Sequence, residues 1–593
     1  MNLDAQQTAA VHTASRRALV LAGAGSGKTR VLIERSAYLV EECHVSPYEI
    51  MAFTFTRKAA GEIKARLENR IGSAAYQITL GTMHALALKM LQRFGDLIGL
   101  KAKHITVYSS WEEGFLLKDV AQEMGVHSGK AWKIPKKEID AVFSAYYQRG
   151  IEPAEENPVR DLFHAFIARC RENNALTYGG LLVGLRLLVP TLAKYLHIRH
   201  ILVDEVQDID PLQWMIILKM EELFGADLFV VGDIDQSIYE WRGAAPKYLV
   251  DHQGEFDIYR LEKNYRSDPA IVVAANGLID HNQDRITKTM EATRTPGRAR
   301  VIVQNNVDSQ YLVGLMQNYL DNPRKVMEPD GFLHDGEPDH IAILARTHVL
   351  LAKIDRLMEA AKIPHVYIGK DTALTDSEEF RRFHAFLKLI VNPYDNFSFL
   401  LARDILGVDR VQFSEIRTIA AKNGISHFQA WRESFSRVDF NVDFFNVEKN
   451  QAASTAVGIL ATYQWPFVID PIVTFVLACV KNSGLSVEAY LSWLATYDIQ
   501  DEIKDEEKAP AISLMTIHAA KGLEWPNVIV AGCNEGILPS KQALGNGDLE
   551  AERRLAYVAW TRAKDQLVLA VRPVVDDQGH ENPMSRFIGE SGL

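Results

Sequence analysis

The 593-residue chain is 47% hydrophobic and 24% charged, which excludes a wholly disordered protein. It is too long for one compact core, and roughly 100–200 residues per domain suggests about four domains. Its 65 Lys plus Arg against 76 Asp plus Glu give a net charge of −11, which argues against nucleic-acid binding unless the basic residues line one groove.

In chain order, the opening MNLDAQQTAAV has no basic stretch leading into an apolar one, so no export signal is expected. No run of about 18 apolar residues follows anywhere, so a cytoplasmic protein without membrane contact is expected. The first strand is Ala18–Leu21, which leads into AGAGSGKT and a helix from near Thr29; a second is Ile50–Thr54, followed by a helix over Lys58–Ile71. Short apolar strands recur at Ile201–Val203 and Leu228–Val231. Strands alternating with helices predict a doubly wound parallel sheet, here interrupted by a long helical insertion from about Lys89 to Leu188. Strands at Ile341–Leu344, Ile512–Met515, Val528–Val530 and Leu567–Leu569 predict a second α/β sheet of the same kind. Helical sequence from about Asp371 interrupts it, and the charged DEIKDEEK stretch, Asp501–Lys508, is expected to be the return hinge. The four cysteines, Cys43, Cys170, Cys479 and Cys533, include no CxxC pair, so zinc, iron–sulfur and disulfide frameworks are not expected.

The segment Ala22–Thr29 (AGAGSGKT) matches a phosphate-binding loop, with Ala22 in place of the usual first glycine. Gly23, Gly25 and Gly27 let backbone N–H groups turn toward phosphates, with Ala24 and Ser26 between them, and the following helix offers its positive N-terminus. Lys28 is expected to reach the β- and γ-phosphates of ATP and Thr29 to ligate Mg²⁺. In ILVDEVQD, Asp204 and Glu205 end a buried strand, at the edge where open parallel sheets bind ligands. Asp204 is expected to hold Mg²⁺ through water, and Glu205 to orient or deprotonate the attacking water.

Further strings carry a resemblance. VVGDIDQSIYEWRGA (Val230–Ala244), LEKNYRS (Leu261–Ser267), ISLMTIHAAKGLEWPNV (Ile512–Val528) and ERRLAYVAWTRAKDQL (Glu552–Leu567) resemble successive motifs of superfamily 1 helicases of the UvrD/Rep/PcrA group. FTFTRKAAGEI and TLGTMHALAL resemble the motifs between the phosphate loop and the DEVQD strand, and all stand in that family's order. The resemblance implies two RecA-like cores, each with a mainly helical insertion: 1–88 with 189–262, its insertion 89–188, then 263–370 with 506–593, its insertion 371–505. It implies that Gln7 reads adenine, Arg30 and Tyr265 flank the ring, Gln236 senses the γ-phosphate and Glu524 touches the ribose. Arg266 and Arg562 match the two arginines that reach the γ-phosphate from the second core. For single-stranded DNA it implies contacts from Phe55, Tyr239, Trp241 and Arg242, with Thr56, Thr82, His84 and His518 near the strand. It also implies 3′-to-5′ movement.

Two departures stand out. LLARDILGVDRVQF lacks the Pro-x-Arg-Gly-Ile-Gly turn that meets duplex DNA in this family, with only Gly407 kept, and TYGGLL stands where acidic residues are usual. With 31 residues after Arg562, a fused nuclease is not expected, so any nuclease or repair partner is a separate protein. The leading expectation is therefore an ATP-dependent helicase acting, as a monomer or weakly self-associating protein, on single-strand/duplex junctions in repair, replication restart or recombination. A translocase serving as the motor of a nuclease or defence complex is the second reading, and a nucleotide-gated DNA clamp the third.

Overall fold

The computed structural model describes residues 3–128, 131–244, 246–295, 300–321, 338–369, 377–435, 447–462, 468–481, 484–495, 510–572 and 582–593. Two six-stranded sheets, parallel throughout, organise the chain. The first contains β1 (Arg17–Ala22), β2 (Ile50–Thr54), β3 (Thr79–Thr82), β4 (His200–Val203), β5 (Asp227–Gly232) and β6 (Asp257–Leu261), in the order β6-β1-β5-β4-β2-β3. The second contains β7 (Arg300–Gln304), β8 (Ile341–Ala345), β9 (His365–Tyr367), β10 (Ile512–Thr516), β11 (Trp525–Ala531) and β12 (Ala563–Ala570), in the order β7-β12-β11-β8-β10-β9.

The eight apolar runs read from sequence fall within the four interior strands of each sheet. Those strands are buried on both faces, so they carry near-continuous hydrophobic sequence. Sequence reading missed β3, β6, β7 and β9, which are the four edges. An edge strand is only partly covered, and β6 and β9 show it, with mostly part-exposed residues and no apolar run to find.

The first sheet continues without a break into the first insertion. Helix Met83–Phe94 leads out, helix Tyr178–Leu192 leads back, and the two pack together, so the expected limits at 88/89 and 188/189 fall inside helices. One apolar cluster runs from Leu19 and Phe53 of the sheet through Leu91 and Leu185 to Phe143 and Phe166 of the insertion. The second insertion differs: seven helices among the described residues, from Glu378–Val391 to Val487–Ala495, enclose a separate core around Phe383, Phe386, Trp431 and Tyr490. The proposed hinge at Asp501–Lys508 lies outside the described residues.

Buried polar contacts join the two insertions. Asn392 Nδ2 donates to Thr106 Oγ1 at 2.9 Å, Tyr108 Oη to Asp395 Oδ1 at 2.7 Å, and Lys388 pairs with Glu112. Gly407, in the altered turn, has φ +71° and no atom within 4 Å of where a Cβ would sit.

Candidate functional site

The carboxyl ends of the first sheet's strands gather the phosphate-site residues. β1 ends at Ala22, and the chain turns through Gly23–Gly27 into helix Lys28–Glu41, with Thr29 in its first turn. The turn is closed from within by Ser26 Oγ donating to Gly23 O at 2.8 Å, and from outside by Gln7 Nε2 donating to Ser26 O at 3.0 Å. Gly25 has φ +69°, and a Cβ there would lie 2.6 Å from Arg266 Cβ, so only glycine fits between loop and second core. Asn264 Nδ2 donates to Ala24 O at 2.7 Å and Tyr265 N to Gly25 O at 3.0 Å, so the NYRS segment rests on the loop. Tyr265 Oη donates to Asp4 Oδ2 at 2.5 Å; burial first, then that bond, pushes the phenol up to about 12, with Arg30 acting the other way. Gln7, Arg30 and Tyr265 therefore sit round one side of the loop.

Asp204 and Glu205 follow β4. Asp204 N donates to Phe53 O at 2.8 Å, and Glu205 takes the left-handed conformation with φ +51°, a strained backbone for a non-glycine residue. Burial, then the neighbouring Glu205 charge, raises the Asp204 carboxyl to about 7, while Lys28 opposes the shift. Burial also works against Glu205 ionisation, yet Lys28 and Lys521 prevail and hold it below the ordinary range. Gln207, inside the quoted DEVQD string but given no role from sequence, is the clamp: its Nε2 donates to Glu205 and its Oε1 accepts from Asp233 N at 2.9 Å.

The second core meets this edge with several cations. Arg562, 1% exposed, donates from Nη2 to Gln236 Oε1 at 3.4 Å and from Nε to Val558 O at 2.9 Å. Burial, then the nearby Arg266 charge, lowers its guanidinium to about 9, so it remains a cation at neutral pH. Arg266 Nε lies 2.5 Å from Glu524 Oε2, and Lys564 Nζ lies 2.8 Å from Glu524 Oε1, so Glu524, expected at the ribose, is held by two cations here. Lys521, missed as a site residue although it lies within IHAAKGLEW, pairs with Asp208 and donates to Gln236 O at 2.7 Å.

An aromatic strip crosses the same seam. Phe55 and Tyr239 stack with centroids 4.9 Å apart, and Tyr239 Oη donates to His518 O at 3.2 Å. Trp241 is 71% exposed and meets His518 edge-on at 6.1 Å, while the Arg242 guanidinium lies 5.8 Å from the Tyr239 ring and 5.7 Å from Trp241. Thr56 and Thr82 cap the helices that follow them, accepting from Ala59 N at 3.1 Å and Ala85 N at 3.3 Å. Burial first, then the Arg242 charge, lowers His84 to about 3; burial, then Arg346 and Lys521, lowers His518 to about 4. Both imidazoles are neutral at pH 7 and offer rings, not charge. A cavity of about 750 Å³ continues the strip onto the second core, lined by Trp241, Arg346, Thr516 and His518 among others.

The TYGGLL departure has a physical account. Tyr178 stacks face to face on His84, at 3.9 Å and 11° between planes, and a Cβ on Gly179 would meet the Tyr147 ring at 2.5 Å. The glycine leaves room for Tyr147, and a larger side chain at that position would collide with it.

Comparison with known proteins settles the class of molecule. The family model for the UvrD/REP helicase N-terminal domain matches residues 3–257, and that for the UvrD-like helicase C-terminal domain matches 259–439 and 482–572. The chain belongs to the UvrD/Rep helicase family. This helicase is 30% identical to the ATP-dependent DNA helicase PcrA of Bacillus subtilis, over 99% of this chain and 85% of that one. It is 29% identical to PcrA of Leuconostoc citreum, over 99% and 84%, and 28% identical to PcrA of Staphylococcus epidermidis, over 99% and 86%. No helix among its described residues is long and apolar enough to cross a membrane.

Proposed function

We propose that this ATP-dependent DNA helicase tracks 3′-to-5′ along single-stranded DNA and opens duplex at single-strand/duplex junctions. The observation that carries this reading is the seam itself. The hydrolytic carboxylate Glu205 and the sensor Gln236 belong to the first core, their cationic partners Lys521 and Arg562 to the second, and the aromatic strip spans both.

In the proposed step, Glu205 accepts the proton of a water whose oxygen bonds to the γ-phosphorus, the bond to the β-bridging oxygen breaks, and ADP leaves with its electron pair. Gln207 fixes the Glu205 carboxylate for that transfer, Lys28 and the phosphate-loop amides hold the phosphates, and Arg266 and Arg562 offset the charge that develops. Among carboxylates, Asp204 fits a Mg²⁺ ligand, because burial beside Glu205 leaves it short of positive charge, and Thr29 supplies a hydroxyl oxygen. Mg²⁺ held there would supply charge neutralisation at the phosphates. Arg562 and Lys521 then make core closure depend on the phosphate site, and closure moves the ring of His518 relative to the Phe55–Tyr239 stack.

Two further points belong to the same reading: a cytoplasmic setting, and work as a monomer or weak self-associate with separate nuclease or repair partners. The open, single-glycine turn at Gly407 favours a second reading, in which the motor translocates but needs a partner to unwind. ATP hydrolysis measured beside unwinding of 3′-tailed and 5′-tailed duplexes, with Lys28→Ala as control, tests both. Unwinding from the 3′ tail alone supports the first reading. DNA-stimulated hydrolysis without unwinding moves the choice to the second, and hydrolysis indifferent to DNA refutes both.

A further inference from the structure

A short segment between the cores belongs neither to the phosphate loop nor to the aromatic strip. Residues 282–293 leave the second core and run along the first. At their start Asn282 Nδ2 donates to Glu550 O at 3.1 Å and its Oδ1 accepts from Arg553 Nη1 at 2.5 Å; Gln283 N donates to the Glu550 carboxylate at 2.8 Å. Along the first core, Arg260 Nε donates to Thr287 O at 3.3 Å, Thr289 N donates to Glu262 Oε1 at 3.2 Å, and a Cβ on Gly23 of the phosphate loop would meet Met290 Cγ at 2.8 Å; Glu291–Ala292 then pairs in parallel with Lys263–Asn264, where the second core begins. The segment is a strap anchored in the second core and seated on the first.

Lys288 lies in the middle of this strap. Its side chain is 3% exposed, and its ammonium pairs with both Asp233 and Asp235, which are 0% and 2% exposed, just beyond β5. Arg285 supports the arrangement, reaching Asp235 at 3.0 Å and Asp280 at 2.6 Å. Asp233 is the branching point: one carboxylate oxygen takes Lys288, and the other accepts from Gln236 Nε2 at 2.6 Å. With Gln236 Nε2 committed to Asp233, the amide oxygen is the end left facing Arg562, at 3.4 Å. The Asp233 backbone N–H holds Gln207, which in turn holds Glu205. One residue thus serves both groups: the Asp233 backbone supports the clamp on Glu205, while its carboxylate sets the Gln236 amide and is itself oriented by an ammonium from the other core.

We infer that Lys288 is a positioning residue for hydrolysis: seated by the strap, it fixes Asp233 and through it Gln236, so that the sensor is aligned only when the second core is docked. The inference rests on reading Gln236 as the γ-phosphate sensor. A buried carboxylate deprived of its nearest counter-charge is costly and free to turn, and a fully connected polar network loses its geometry when one member goes. A lysine is almost never fully buried unless paired, and both partners of Lys288 are themselves buried carboxylates.

The test is a double-mutant cycle in the full chain, reading DNA-stimulated kcat and ATP KM per nucleotide-binding site, so that unfolded protein does not count. Lys288→Met and Gln236→Ala are each expected to lower kcat about tenfold or more, and the double variant to fall no more than about twofold below Gln236→Ala alone, because the two act as a unit. A purely structural role for Lys288 gives effects that multiply, and that result overturns the inference while leaving Gln236 as sensor. A Gln236→Ala protein with unchanged kcat overturns both. Should Lys288→Met not fold, Lys288→Gln keeps a donor and similar bulk, and the same non-additivity is required of it.

Discussion

Lys521→Met separates the seam from the stability of either core. The Lys521 ammonium is 7% exposed, its partner Asp208 is fully buried, and the same ammonium donates to Gln236 O at 2.7 Å. Breaking a buried ion pair inside one domain costs about 3–5 kcal/mol, because the remaining charge stays buried. Here the pair spans two cores, so the cores can part and let Asp208 rehydrate. Asp208 also has a second escape: burial already raises it to about 7 even with Lys521 beside it, so without the lysine it takes up a proton at neutral pH. The cost therefore falls on closure. Hydrogen bonds to charged groups are worth about 1.5–3 kcal/mol, and at about 1.4 kcal/mol per factor of ten the expected loss in kcat/KM for ATP is about 10- to 150-fold. Steady-state hydrolysis with saturating single-stranded DNA reads it, and thermal unfolding should shift little. A kcat/KM within threefold of the parent protein, or a large drop in Tm that accounts for the lost activity, would refute the argument that this pair serves closure.

Gly25→Ala places a Cβ at 2.6 Å from Arg266 Cβ on a residue with φ +69°, so the second core cannot seat; ATP hydrolysis should drop by about 100-fold, the effect of an ångström-scale misplacement, and a normal rate would show that the two cores need not approach this closely. Trp241, 71% exposed, contributes little to folding, so Trp241→Ala should leave Tm unchanged and weaken single-stranded DNA binding by about 1–3 kcal/mol in a fluorescence titration. Binding that is unchanged would remove Trp241 from the strip. The Asp204 carboxyl is raised to about 7, above its ordinary 3.8, so the nucleotide-free fold binds protons there that the unfolded chain releases. Its contribution to stability is thus greatest below about pH 4 and declines as pH rises toward 7. A cation competes for the same carboxylate, so the Mg²⁺ concentration giving half-maximal hydrolysis should fall as pH rises from 6 to 8. A flat Mg²⁺ requirement across that range would argue against Asp204 as a ligand.

How much was legible depended on which physical constraint wrote the sequence. The interior strands were readable because burial on both faces forces Leu19–Leu21, Ile201–Val203 or Val528–Val530 to be apolar without interruption. The edge strands were not, because β6, Asp257–Leu261, needs only its backbone to pair with β1 and leaves most of its side chains partly in water. The phosphate loop and the Asp204–Glu205 pair were legible as local strings, since backbone geometry there demands particular residues in immediate succession. Lys521 and Lys288 escaped notice because their partners are remote in sequence: Lys521 lies 313 residues from Asp208, and Lys288 lies 55 from Asp233. A lysine in a string is equally consistent with a solvated surface until its partner is located. The expected limits of the first insertion fall inside the helices Met83–Phe94 and Tyr178–Leu192, which share one apolar cluster with the sheet.

The carboxylates nearest the seam do not lie open to a bound strand. Asp208, Asp233, Asp235 and Glu552 are buried and each is paired with Lys521, Lys288, Arg285 or Arg346, so their charge is spent inside the protein and does not face a bound strand. What the strip offers instead is ring surface: Phe55 on Tyr239, His84 on Tyr178, and two imidazoles whose burial keeps them neutral. Stacking of bases on such faces is tolerant of sequence, because every base has a π-face. On the proposed reading, a strand is held in part by its bases on such rings, and the cations at the seam, Arg266, Arg562 and Lys521 among them, serve the phosphates of the nucleotide and the closure of the cores.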